Sequence, residues 1–193
     1  MKILLFDSSS LVSMAMNGLL EELVKLKKSF DGKFIIPIEV RQEIIDRPLE
    51  IKKFEPEALR LKKLVTDKVL EFPSVLGISD SEISSKTKEY LGLANNIFLD
   101  KKRNSGVHLI DSGETACVAL SKILSAKKIE NVIVIDERTT RMLGENPEGM
   151  KKFLEQKFHT KITLQNQNFE LFKGLKFIRS TELVYVAYKK NLL

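Results

Sequence analysis

One stretch constrains the fold more than any other. Within residues 107–143 an acidic turn, Asp111-Ser112-Gly113-Glu114, opens an apolar helix. The helix leads to the β-branched run Val132-Ile133-Val134-Ile135, which runs straight into a second acidic pair, Asp136-Glu137. A short β-branched run fed by a helix reads as a buried strand of a parallel α/β sheet. Strand ends and helix starts share one edge of such a sheet, and ligands collect there. Glu114 and Asp136, 22 positions apart, are therefore expected to meet at that edge.

The rest of the chain repeats the strand–helix pattern. Lys2–Phe6 reads as a first strand, ended by Asp7, with Ser8, Ser9 and Ser10 suited to capping a helix over residues 11–28. Residues 33–36 read as a second strand, and Pro37 opens a helix to Asp46. Residues 52–66 read as an exposed lysine-rich helix, 69–72 as a short strand, and 79–102 as mostly helical. Asn104-Ser105-Gly106 breaks that pattern. After Asp136 come a short helix at 137–143, a loop from Gly144 to Gly149, a helix at 150–158, a strand at 161–164 and a last helix at 180–191. The expectation is a three-layer α/β/α, Rossmann-like single domain over 1–193 with a central, mainly parallel sheet. Residues 52–104 are a candidate helical arm, and 146–193 a basic C-terminal extension.

Composition excludes some classes. No apolar run approaches the ~20 residues of a membrane span, so no membrane association is expected. Only four consecutive apolar residues, Ile3-Leu4-Leu5-Phe6, precede Asp7, too few for a signal-peptide core. The one cysteine, Cys117, sits in an apolar helix, where a buried thiol in a reducing cytoplasm is the simplest reading. The net charge of +6 is carried wholly by residues 151–193, with nine Lys or Arg against three Glu. A basic end beside an acidic edge suits a polyanion together with a cation.

Asp7, Glu43, Asp111, Glu114 and Asp136 all fall at strand ends or on the adjoining helices, with Glu137 beside the last. Each has a plain alternative: Asp7 and Asp136 as helix caps, Asp111 and Glu114 as a capping box, Glu43 as a surface residue in competition with Glu39. Together they form a repulsive cluster, because like charges 4 Å apart cost about 4 kcal/mol at an effective dielectric of 20. Such a cluster needs a cation or protons. Oxygen donors without histidine point to Mg²⁺ or Mn²⁺. On this reading Asp136→Asn leaves the metal-free fold as stable or slightly more stable.

The order Asp7-Ser8-Ser9, Ile36-Pro37-Ile38-Glu39-Val40-x-x-Glu43-Ile44, Gly113-Glu114-x-Ala116 and Val134-Ile135-Asp136-Glu137-x-x-x-Arg141 resembles the PIN domain over roughly residues 1–145. The resemblance implies a metal-dependent ribonuclease of Rossmann-like fold with Asp7, Glu43, Glu114 and Asp136 as its catalytic acids. Asp7, Glu114 and Asp136, with Asp111 joining or replacing Glu114, would ligate Mg²⁺ or Mn²⁺. Ser8, Ser9, Glu137 and Arg141 would support them. The expected partner is RNA, single-stranded by preference, drawn by Lys151, Lys152, Lys157, Lys173, Lys176 and Arg179. Two alternatives stay open: an RNA- or protein-binding module on a degenerate nuclease fold, and the toxin of a toxin–antitoxin pair held by a protein partner. A homo-oligomer is equally open.

Overall fold

The structure is a computed structural model that describes residues 1–103, 105–165 and 169–192. Its centre is a parallel sheet of four strands in the order β2-β1-β5-β7: β1 (Lys2–Phe6), β2 (Gly32–Ile35), β5 (Glu130–Val134) and β7 (Phe177–Ile178). Helices flank it, giving a mixed α/β, three-layer Rossmann-like architecture. Ile3, Leu5, Phe6, Phe34, Ile35, Ile133 and Val134 are buried in the sheet, as parallel strands covered on both faces require. The Phe6 and Phe34 rings pack at 5.1 Å between centroids.

Chain order reverses at β1. The chain moves first to β2 on one side, and returns later to β5 on the other. That switch point, between the C-terminal ends of β1 and β5, is where an open α/β sheet leaves a crevice. Phe6 is level with Val134, so Asp7 and the Asp136-Glu137 pair emerge side by side.

Several sequence boundaries move. The helix expected over 11–28 is two, α1 (Ser8–Met16) and α2 (Leu20–Ser29). Gly18 adopts φ +70, with Gly18 N–H on the Ala15 carbonyl at 3.1 Å and Leu19 N–H on that of Met14 at 2.8 Å. This left-handed glycine stop ends α1, although the apolar spacing runs through it. The helix after Pro37 is α3 (Ile38–Arg41), continued by a π-turn, Gln42–Asp46. The strand expected at 69–72 is reduced to one parallel bridge between Ile35 and Glu71.

Among the described residues of the expected arm, 52–103, the two helices pack on the core. Helix α4 (Glu55–Thr66) buries Ala58, Leu61 and Leu64, and α5 (Asp80–Ala94) buries Ile83, Thr87 and Ala94. The apolar members Leu61, Leu64, Ile83 and Ala94 join the same core as the sheet. The helical reading to 102 fails at Asn95. Its Oδ1 accepts from Leu109 N–H at 2.7 Å and from Ile110 N–H at 3.2 Å, tying the helix end to the segment ahead of α6 (Ser112–Ala126). Phe98–Asp100 then forms β3, which pairs antiparallel with β4 (Ser105–Gly106) and β6 (Ile162–Leu164) in a second small sheet. Asn104, of the expected break, lies outside the described residues.

The C-terminal third is built into the domain. Helices α7 (Arg138–Glu145) and α8 (Pro147–Phe158) follow β5, so part of the expected 144–149 loop is helical. Strand β7, which sequence reading missed, extends the parallel sheet. Helix α9 (Ser180–Lys189) packs on α1 and α2 through buried Leu183 and Ala187.

Candidate active site

At the switch point a cavity of about 460 Å³ is lined by Asp7, Ser8, Ser9, Glu43, Arg47, Asp111, Ser112 and Glu114. It brings together most of the acids expected from sequence. Asp7 caps α1: its Oδ2 accepts from Ser9 N–H at 2.9 Å and Ser9 Oγ–H at 2.6 Å. Its Oδ1 is buried and has no hydrogen-bond partner among the described residues. Burial pushes the Asp7 carboxyl up to about 6, against the pull of the Ser9 hydrogen bonds and with a smaller push from Glu43.

Ser9 is the hub that sequence could only call supporting. Its Oγ donates to Asp7 and accepts from the Asp136 and Glu137 N–H groups at 3.0 and 3.2 Å. One hydroxyl thus joins the ends of β1 and β5. Ser8 donates its Oγ–H to Glu43 Oε2. Glu43 Oε1 accepts from Gly113 N–H at 3.0 Å, so this carboxylate bridges α1 to the start of α6. Gly113 leaves room for this carboxylate: a Cβ would lie 2.4 Å from Glu43 Oε2 and displace it. The π-turn aims Glu43 and Arg47 into the cavity, a local distortion common at functional sites.

Glu114 is the most perturbed acid of the cavity. Its carboxyl is pushed up to about 8, first by burial, then by the charges of Asp7 and Glu137. Hydrogen bonds from Asp111 N–H at 3.2 Å and Thr140 Oγ–H at 3.1 Å, both to Oε2, oppose the shift only in part. Beneath the site, burial raises the Cys117 thiol far above its ordinary value, with Asp7, Glu43 and Glu114 adding to it. Cys117 is a core residue, as expected.

Two expected site residues, Asp136 and Arg141, stand outside the cavity lining, and Asp111 only reaches its rim. Asp136 turns away from the cavity: its Oδ1 accepts from Ser180 N–H at 2.8 Å and its Oδ2 from Ser180 Oγ–H at 2.6 Å. Both of its oxygens therefore serve the start of α9. Asp111 is exposed and meets His108 Nε2 at 2.9 Å, making its carboxylate a rim group. Arg141, whose Nε is buried with no hydrogen-bond partner among the described residues, adds its charge to the lowering of the Glu182 carboxyl, whose main pull is the Arg179 N–H. Glu137 instead reaches the cavity acids. It caps α7 by accepting from Thr140 N–H at 2.7 Å, and its charge acts on Glu114. Sequence reading missed Ser180, Thr140 and Arg47. Thr140, three residues after Glu137, had a legible capping spacing; Ser180 and Arg47 reach their partners only through the fold.

As they stand, no three Asp, Glu, His or Cys side chains among the described residues form a group that could hold a metal ion. The donor chemistry of the cavity nonetheless suits a hard divalent cation. Every candidate ligand is oxygen, two carboxyls are raised first by burial and then by neighbouring acids, and one buried carboxylate oxygen has no partner among the described residues. Asp7, Glu43 and Glu114 would hold such an ion, with Glu137 beside them. Among the described residues no helix is long and apolar enough to cross a membrane. Comparison with family models, with curated proteins and with solved structures returned no match.

Proposed function

We propose that the chain is a PIN-like, Mg²⁺- or Mn²⁺-dependent ribonuclease, working in the cytoplasm on single-stranded RNA. The observation that carries this reading is the pair Asp7 and Glu114. Both carboxyls are driven upward by burial at the sheet's switch point, with Asp7 adding its charge to the push on Glu114. A fold gains no stability from such a pair, and a bound cation reverses its cost. When bound, the ion would supply acidified water and charge neutralisation at a phosphodiester.

The chain's own residues do the rest. Asp7 and Glu114 present carboxyl oxygens at the crevice floor, Ser9 fixes Asp7, and the Ser8 and Gly113 donors fix Glu43. Arg47 on the cavity wall offers a cation to a scissile phosphate. The basic C-terminal third supplies the attraction for the strand. In a cleavage assay on mixed single-stranded RNA, wild type should cut with Mn²⁺ or Mg²⁺ and not with EDTA. Glu114→Gln should cut at least about tenfold more slowly, since even outer-shell changes at metal sites cost about 10–100-fold. Equal rates for the two proteins would refute the assignment.

One observation favours a second reading. Asp136, with both oxygens taken by Ser180, is engaged as a structural cap. A non-catalytic RNA-binding module on this fold would have that arrangement, and would bind RNA in the same assay without cutting it.

A further inference from the structure

Helix α9 carries a feature that neither its packing nor the acidic cavity uses. Leu183 and Ala187 point inward and dock the helix. On the opposite face Tyr185 and Tyr188 are 59% and 62% exposed, too open to contribute to the core. They are one helical turn apart, so their rings are neighbours on one surface. Lys189 Nζ lies 5.5 Å from the centre of the Tyr185 ring, and Lys190 follows it, also exposed. Exposed aromatic rings set among cations are the combination that binds single-stranded nucleic acid: bases stack on the rings while lysines track the phosphates.

Position strengthens the case. Ser180, the first residue of α9, holds the Asp136 carboxylate, and Asp136 N–H is bonded to Ser9 at the cavity. At 1.5 Å rise per residue, Tyr185 and Tyr188 stand roughly 8 and 12 Å along the helix from that anchor. They lie within the basic third of the chain, opposite in sign to the carboxylate crevice. We propose that the outer face of α9, Tyr185, Tyr188 and Lys189, is a stacking platform for the single-stranded RNA on its way from the cavity. The strand's purpose rests on the nuclease reading; its binding to this face does not.

The chain has no tryptophan and three tyrosines, and the third, Tyr90, is partly buried against the core. Intrinsic tyrosine emission therefore reports largely on this face. The experiment titrates the full chain, in EDTA to prevent cleavage, with a short oligoadenylate and with the same ribose-phosphate chain lacking bases. Oligoadenylate should quench the emission. Tyr185→Ala/Tyr188→Ala, which removes the emitting rings and is therefore read by the anisotropy of a labelled strand, should weaken oligoadenylate binding about tenfold or more, as loss of base stacking does. Tyr185→Phe/Tyr188→Phe should keep the affinity, and the base-free chain should bind wild type and the Ala variant alike. Thermal melting of the Ala variant should match wild type, because the rings are outside the core. Unchanged oligoadenylate affinity in the Ala variant would overturn the platform. So would a variant that binds as before but loses self-association in sedimentation, which would make the face a contact between copies. RNA cleavage without quenching would sink the platform and spare the nuclease reading; quenching without cleavage would do the reverse.

Discussion

Asp7 and Asp136 follow adjacent parallel strands, one step apart in register, yet the fold treats them in opposite ways. Asp7 is buried with one oxygen unpartnered and its carboxyl raised to about 6. Asp136 has both oxygens in short hydrogen bonds from Ser180, which joins β5 to α9. The first is costly to the apo protein; the second contributes to its stability. A carboxylate after a strand is thus no sign of chemistry until its partners are known. In this molecule the strain is concentrated on Asp7 and Glu114, and Glu137, not its neighbour Asp136, completes the cluster.

The largest expected consequence is a pH dependence. Asp7 and Glu114 have folded-state values of about 6 and about 8, above their ordinary 3.8 and 4.5. The folded protein therefore holds these protons more tightly than the unfolded chain. Stability is greatest below the ordinary values, falls as pH rises through 6 and 8, and levels above that. With EDTA the loss should reach a few kcal/mol, the two acids titrating as a coupled pair. Denaturant melts of wild type and of Asp7→Asn/Glu114→Gln, at steps of pH, isolate the effect as their difference. A difference independent of pH would show that the pair is not strained.

Asp136→Asn sharpens the comparison from the other side. The repulsion argument from sequence expected this change to leave the metal-free fold as stable or slightly more stable. The Ser180 clamp reverses that expectation, because asparagine keeps one acceptor and loses the charge-assisted pair. Stability should fall by about 1–2 kcal/mol, while Asp7→Asn in the same melts should raise it at neutral pH. If both substitutions move stability in the same direction, the two environments are not distinct.

Gly113→Ala is the finest probe. The added methyl would meet the Glu43 carboxylate, the far end of a flexible side chain, which can swing aside. Stability should therefore drop by less than about 1 kcal/mol. Cleavage should fall more, because Glu43 would lose its bonds to Gly113 and Ser8. A large loss of stability with normal cleavage would make Glu43 a strut only.

The legible part of this molecule was its periodicity. The runs at Lys2–Phe6 and Val132-Ile133-Val134-Ile135 gave the central strands, and their terminal acids gave the cavity's position. Asp7, Glu43 and Glu114 meet there as the spacing suggested. What was hidden depended on contacts between distant residues. Nothing near Asp136 in sequence announces Ser180, 44 positions later. The apolar residues of β3 fit a helical period as well as a strand, and only the Asn95 tether to Leu109 and Ile110 decides between them. Strand β7 is two residues long, too short for any periodicity to show.

The central claim is that the divalent-cation site rests on Asp7 and Glu114 and not on Asp136. Thermal melting at neutral pH, with EDTA and then with Mn²⁺, tests it on wild type, Glu114→Gln and Asp136→Asn. Wild type and Asp136→Asn should both gain from Mn²⁺, by about 2.7 kcal/mol at a hundredfold excess over the dissociation constant. Glu114→Gln should gain little or nothing. A full Mn²⁺ gain in Glu114→Gln, or its loss in Asp136→Asn, would contradict the claim.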